Sequence, residues 1–161
     1  MMSKRLRKKN ALRRINSAFS NITLEDGISL RETVEIDHYR TVPKSSKARD
    51  QDEVNDWRKL LDSTVIQELC WIGGIHFFDP KGFKFHIPAY LSLAIRQRLN
   101  GDIFQSLISC LVNPGEYRQD GFELFDDVQR KAIFEAIMFL HDFEFYPLDE
   151  QEMAGAKRHW G

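Results

Sequence analysis

The chain has 161 residues, of which 42% are hydrophobic, 12% aromatic and 29% charged, and its formal net charge is -1. That length and apolar content suffice for one compact domain and exclude the disordered and collagen-like classes. No uncharged apolar run reaches the roughly 18 residues of a membrane span, and the basic N-terminus lacks the continuous apolar core of a secretory signal, so a cytoplasmic protein is expected.

In chain order, the first signal is Leu12, Ile15, Ala18 and Phe19, spaced at three and four from Lys8 onward. This pattern predicts an amphipathic helix with a basic back that ends near Asn21. Ser29 and Glu32 form a capping box that opens a second helix over residues 30–39. Pro43 and the polar stretch after it predict a mobile loop over 41–53. Asp56, Trp57, Leu60 and Leu61 suggest a helical turn, after which Asp62 or Ser63 should cap an apolar helix, VIQELCWIGGIHF, that is the expected centre of the fold.

The segment Asp79-Pro80-Lys81-Gly82 reads as a turn, with Gly82 left-handed. Residues 84–87 allow at most a small hairpin near 83–87. Pro88 then suits the first position of a helix that Asn100 and Gly101 stop. Asp102 and Gln105 predict the cap of the next helix, which Asn113-Pro114-Gly115 closes. Asp126 and Gln129 open the best-patterned helix, with Val128, Ala132, Ile133, Ala136, Ile137, Phe139 and Leu140. After Pro147 a terminal helix over about 148–160 lets Trp160 dock back. The expected fold is mainly α: a single-domain bundle of about six helices spanning 1–161.

Little in the chain points to catalysis. Cys70 and Cys110 lie in apolar runs and read as reduced, buried thiols. His76, Asp79 and His86 are metal-binding types, but Pro80 breaks the helix that would align the first two. No GxSxG, GxxxxGK or GxGxxG motif is present. No catalytic residue, metal or cofactor is expected.

Charge is the stronger guide. The first 24 residues carry seven cations (Lys4, Arg5, Arg7, Lys8, Lys9, Arg13, Arg14) and no acid, leaving the rest of the chain at -8. From Glu116 to Glu152 there are eleven acids against three bases. Such a surface repels nucleic acid and attracts basic proteins. The leading expectation is therefore a non-enzymatic binding protein, of accessory or immunity type, that holds a basic protein partner on Glu116, Asp120, Glu123, Asp126 and Asp127. A second reading is an enzyme or small-ligand protein whose pocket, near the aromatic segment 77–91, uses Asp37, Tyr39, Asp79, His86 and Tyr90. A third is nucleic-acid binding through the seven N-terminal cations.

Two blocks, TLEDGISLRETVEIDHY at 23–39 and FFDPKGFKFHIPAYLSLAI at 77–95, carry a resemblance. Leu24, Gly27, Ser29, Leu30, Arg31, Glu32, Asp37 and Tyr39, then Phe78, Asp79, Gly82, Phe83, Phe85, Pro88, Ala89 and Tyr90, follow LxxGxSLREAxxxDxY-like and FFDxxGFRFYLPAYM-like patterns. The chain thereby resembles a family of small bacterial proteins of unknown function. Thr33 departs from the pattern, where alanine is usual. The resemblance implies a shared fold and no activity.

Overall fold

Helix caps set most of the element boundaries. In a computed structural model, which describes residues 3–62, 65, 74–143 and 147–161, Ser3 caps α1 (Lys4–Ala18) by accepting the Leu6 amide. Ser29 opens α2 (Leu30–Tyr39), and Glu32 reaches back to the Ser29 amide at 2.8 Å, the reciprocal bond of a capping box. Asp79 caps α3 (Pro80–Ile95) and Asn100 caps α4 (Gly101–Val112), each accepting an amide three residues on. Asp126 and Gln129 bond reciprocally at the start of α5 (Asp127–Phe143). Asp149 and Glu152 do the same for α6 (Glu150–Trp160). Short 3-10 turns lie at Arg49–Gln51, Trp57–Leu61, Gly74–His76 and Asp120–Leu124, with one α-helical turn at Glu116–Gln119.

Among the described residues there are thus six helices of ten residues or more and no strand, the mainly α bundle expected. No described helix is long and apolar enough to cross a membrane. The expected apolar helix from 65 falls largely on residues 66–73, outside those described, as do Ser63 and Cys70.

Helix α3 is the centre. Thirteen of its sixteen residues are buried, so it is wrapped by neighbours on all sides. Several local expectations are corrected here. The Asp79-Pro80-Lys81-Gly82 segment is the first turn of α3, with Pro80 at its start, and no described glycine has positive φ. Residues 83–87, considered for a hairpin, are helical. Pro88 does not start a helix but sits inside one, eight residues after its beginning. A proline there removes one backbone hydrogen bond and costs about 3 kcal/mol, a penalty that burial of the surrounding helix outweighs. The helix also ends earlier than predicted: Gln97 has φ 60°, and Asn100 starts α4 in the role expected of Asp102.

Helices α1 and α5 pack antiparallel. Lys4 donates to the Phe143 carbonyl at 2.8 Å, Arg7 pairs with Asp142 and Arg14 with Glu135, both at 2.6 Å, and Gln129 reaches the Ala18 carbonyl. Lys4 and Arg7 therefore stand at the negative end of the α5 dipole. Ala11, Ile15 and Phe19 face the core. The chain ends docked as expected: the Trp160 indole NH donates to the Leu111 carbonyl at 2.8 Å, and its ring lies 4.3 Å from that of Phe122. Gly155 lets α6 lie directly on the Val112 carbonyl, where any Cβ would collide.

Candidate functional site

The two sequence blocks meet in space. Asp79 Oδ1 accepts both the Gly82 amide, 2.9 Å, and the Ile28 amide, 2.8 Å. The backbones approach so closely that a Cβ on Gly27 would lie 2.6 Å from the Gly82 nitrogen, and one on Gly82 2.5 Å from the Ile28 carbonyl oxygen. Arg49 donates to the carbonyls of Gly27 and Glu25. Arg31 donates through its amide and guanidinium to Asp52, whose side chain is buried. The end of the segment expected to be mobile is thus tied down. Lys81 pairs with Asp26 and Glu25.

Behind this junction His86 is buried and stacked on Phe78, with centroids 4.1 Å apart. Its Nδ1 faces the Gly82 carbonyl at 2.7 Å, so Nδ1 carries the proton, and Nε2 has no hydrogen-bond partner among the described residues. Burial pushes its pKa down to about 4, against smaller opposing effects from the Gly82 carbonyl, Asp52 and Asp79. The ring is therefore neutral at physiological pH. Tyr90 is also buried, edge-on to Phe78. Asp37 and Tyr39, by contrast, are exposed at the end of α2. Of the five residues expected to wall a pocket, three gather around Phe78 and two lie on the surface.

A cleft of about 740 Å³ lies elsewhere, between α4 and α6, lined by His76, Ser106, Ser109, Asn113, Asp149 and Arg158 among others. At its edge Cys110 Sγ sits 3.4 Å from His76 Nδ1. The two residues are 34 positions apart on separate elements, and no spacing in the sequence pairs them. Burial pushes the Cys110 thiol up, partly offset by Arg118, while burial and then the Arg118 charge lower His76. A neutral thiol against a neutral imidazole is not an activated nucleophile. No group of three or more His, Cys, Asp or Glu suited to a metal ion occurs among the described residues.

The acidic face is built differently. Glu116, Asp120, Glu123, Asp126 and Asp127 are all exposed, and among the described residues none of them is in an ion pair. Two of the three cations in this region are turned inward. Arg118 donates to the carbonyls of Ile75 and His76 and lies over the Phe83 ring. Arg130 donates to the carbonyls of Phe122, Phe125 and His159. Both guanidinium groups donate to backbone oxygens, and neither pairs with the neighbouring carboxylates among the described residues. Leu124 and Val128, 41% and 66% exposed, interrupt these carboxylates with apolar surface.

The profile of the "Family of unknown function (DUF6714)" matches residues 7–160. The chain belongs to this family. No curated protein and no solved structure matches it.

Both blocks of the resemblance lie inside the stretch that matches the DUF6714 family. The Thr33 side chain is fully buried, its hydroxyl donates to the Leu30 carbonyl at 2.5 Å, and it fills the space that a side chain on Gly74 would need. The N-terminal cations divide into two groups. Lys4, Arg7 and Arg14 bind α5, whereas Arg5, Lys9 and Arg13 are exposed. Lys8 is half-buried. Much of what was expected to be a basic arm is thus one wall of the bundle.

Proposed function

We propose that this protein is a non-enzymatic binding module, a bacterial cytoplasmic accessory or immunity-type protein, that engages a basic protein partner through Glu116, Asp120, Glu123, Asp126 and Asp127. The observation that carries this reading is the inward turn of Arg118 and Arg130, with five exposed carboxylates that make no ion pair among the described residues. An uncompensated field of one sign raises the encounter rate with a cationic surface and disfavours anionic ones. Leu124 and Val128 add apolar area that a partner can desolvate.

The test is affinity capture from native cells with wild-type bait and with Glu116→Lys, Asp120→Lys, Glu123→Lys, Asp127→Lys bait, keeping Asp126 because it caps α5. Basic proteins held by the wild type and released by the reversed bait support the reading. Identical captured sets from the two baits remove it.

A further inference from the structure

We propose that the outer side of α1 docks on the phosphate backbone of double-stranded DNA through Arg5, Lys9 and Arg13, without reading base sequence. The inference concerns a different surface from the acidic face and does not rest on it.

Helix geometry gathers the three cations. At 3.6 residues per turn, Arg5, Lys9, Arg13 and Asn16 fall within an arc of roughly 80° around α1, and the core-facing Ala11 and Ile15 lie about 140° from its middle. Arg5, Lys9 and Arg13 are exposed, and among the described residues none is in an ion pair. Helix α1 itself contains no acid. Packing thus separates these three from Lys4, Arg7 and Arg14, whose charges are held against α5. Arg58 marks where the strip ends: it donates to the Asn16 side chain at 2.7 Å and to the Ser20 carbonyl at 3.1 Å, and it pairs with Asp56. The positive end of the α1 dipole, beside Arg5, adds to the same field.

Spacing and chemistry select the occupant. Arg5 and Arg13 are eight residues apart, roughly 12 Å of helix, a length over which a DNA duplex carries about seven phosphate charges. Two of the three cations are arginines, whose planar fork meets phosphate oxygens in pairs. Lying on an anionic membrane requires a helix with a large apolar face free to enter the lipid. The apolar side of α1 is instead buried in the core, with Leu6, 47% exposed, left beside the cations. Asp127 borders α1 on a different flank, next to Arg14, Ser17 and Ala18, so its carboxylate lies round the helix from the strip.

The experiment is fluorescence anisotropy of labelled DNA duplexes of about 20 base pairs, titrated with the full chain between about 50 mM and about 200 mM salt. Three phosphate contacts give a slope of log K against log salt of about -2.7, or roughly a 40-fold loss of affinity across that range. Two duplexes of unrelated sequence should bind alike. Arg5→Gln, Lys9→Gln, Arg13→Gln together should abolish binding, and each single change should make the slope shallower by about 0.9. Lys44→Gln, Lys47→Gln, Lys157→Gln removes as many exposed cations elsewhere and should keep it. No binding at the lower salt, equal loss in the two triple variants, or a slope that the single changes leave alone overturns the proposal. Phosphatidylserine vesicles or polyglutamate bound more tightly than the duplex, through the same three residues, would overturn DNA as the occupant.

Discussion

Asp79 Oδ1 accepts the amide of Ile28 at 2.8 Å across 51 residues of sequence while also accepting the Gly82 amide that starts α3. One carboxylate oxygen thus caps the central helix and fixes the strandless segment before α2 against it. Replacing Asp79 with alanine removes a cap and leaves a part-buried donor unpaired, for an expected loss of about 2–4 kcal/mol. Urea unfolding of Asp79→Ala and Asp79→Asn checks this, the asparagine keeping an acceptor and losing less. An alanine variant within about 0.5 kcal/mol of wild type would contradict the role, since that is the scatter of ordinary surface changes.

The close approach of Gly27 to Gly82 predicts a second pattern. Gly27→Ala and Gly82→Ala each place a methyl within 2.6 Å of backbone atoms, and overpacking of that kind costs about 1–3 kcal/mol. Gly101 and Gly115 meet nothing within 4 Å when given a Cβ, so their alanine variants should be near neutral. Thermal melts of the four variants separate the pairs, and equal melting temperatures would refute the contact.

Stability should fall as pH drops from about 6.5 to about 4, in part because of His86. In that window the unfolded chain takes up a proton on this histidine and the folded chain does not, so unfolding is favoured as protons are added. The contribution is fully present above the unfolded value and amounts to about 3 kcal/mol at most. His76 and His159, lowered chiefly by burial, act in the same sense. His86→Phe keeps a ring against Phe78 and should flatten the slope of unfolding free energy between pH 4 and 6.5, read by urea titrations at several pH values. An unchanged slope would show that His86 is not the group responsible.

Trp160 joins α6 to the core through its bond to Leu111 and its contacts with Phe122 and Phe125. Trp160→Ala should cost about 3–5 kcal/mol, as expected for a buried tryptophan, with Trp160→Phe losing less because only the hydrogen bond and part of the ring go. Chemical denaturation followed by far-ultraviolet circular dichroism measures both. A truncation-sized effect from the phenylalanine variant would point instead to the indole NH as the main anchor.

What the residues alone determined was mostly local. Ser29 with Glu32, Asp126 with Gln129, and the stop at Asn113 were legible because a cap and the first turn it satisfies lie within three or four residues. The α2 limits and the apolar face of α5 came from the same short-range periodicity. The charge asymmetry was legible too, being a count. Tertiary structure decided the rest. Asp79-Pro80-Lys81-Gly82 reads as a turn because the central residues of a type I turn and the first residues of a helix share one backbone conformation; only the packing of residues 83–95 separates the two. The local cost of Pro88 favours a helix start, and the near-complete burial of α3 overrides that cost. The contact of His76 with Cys110, the meeting of Asp79 with Ile28 and the inward turn of Arg118 and Arg130 join positions on different elements. Local propensity carries no information about such pairings, so which charges remain free on the surface was settled only when the helices packed.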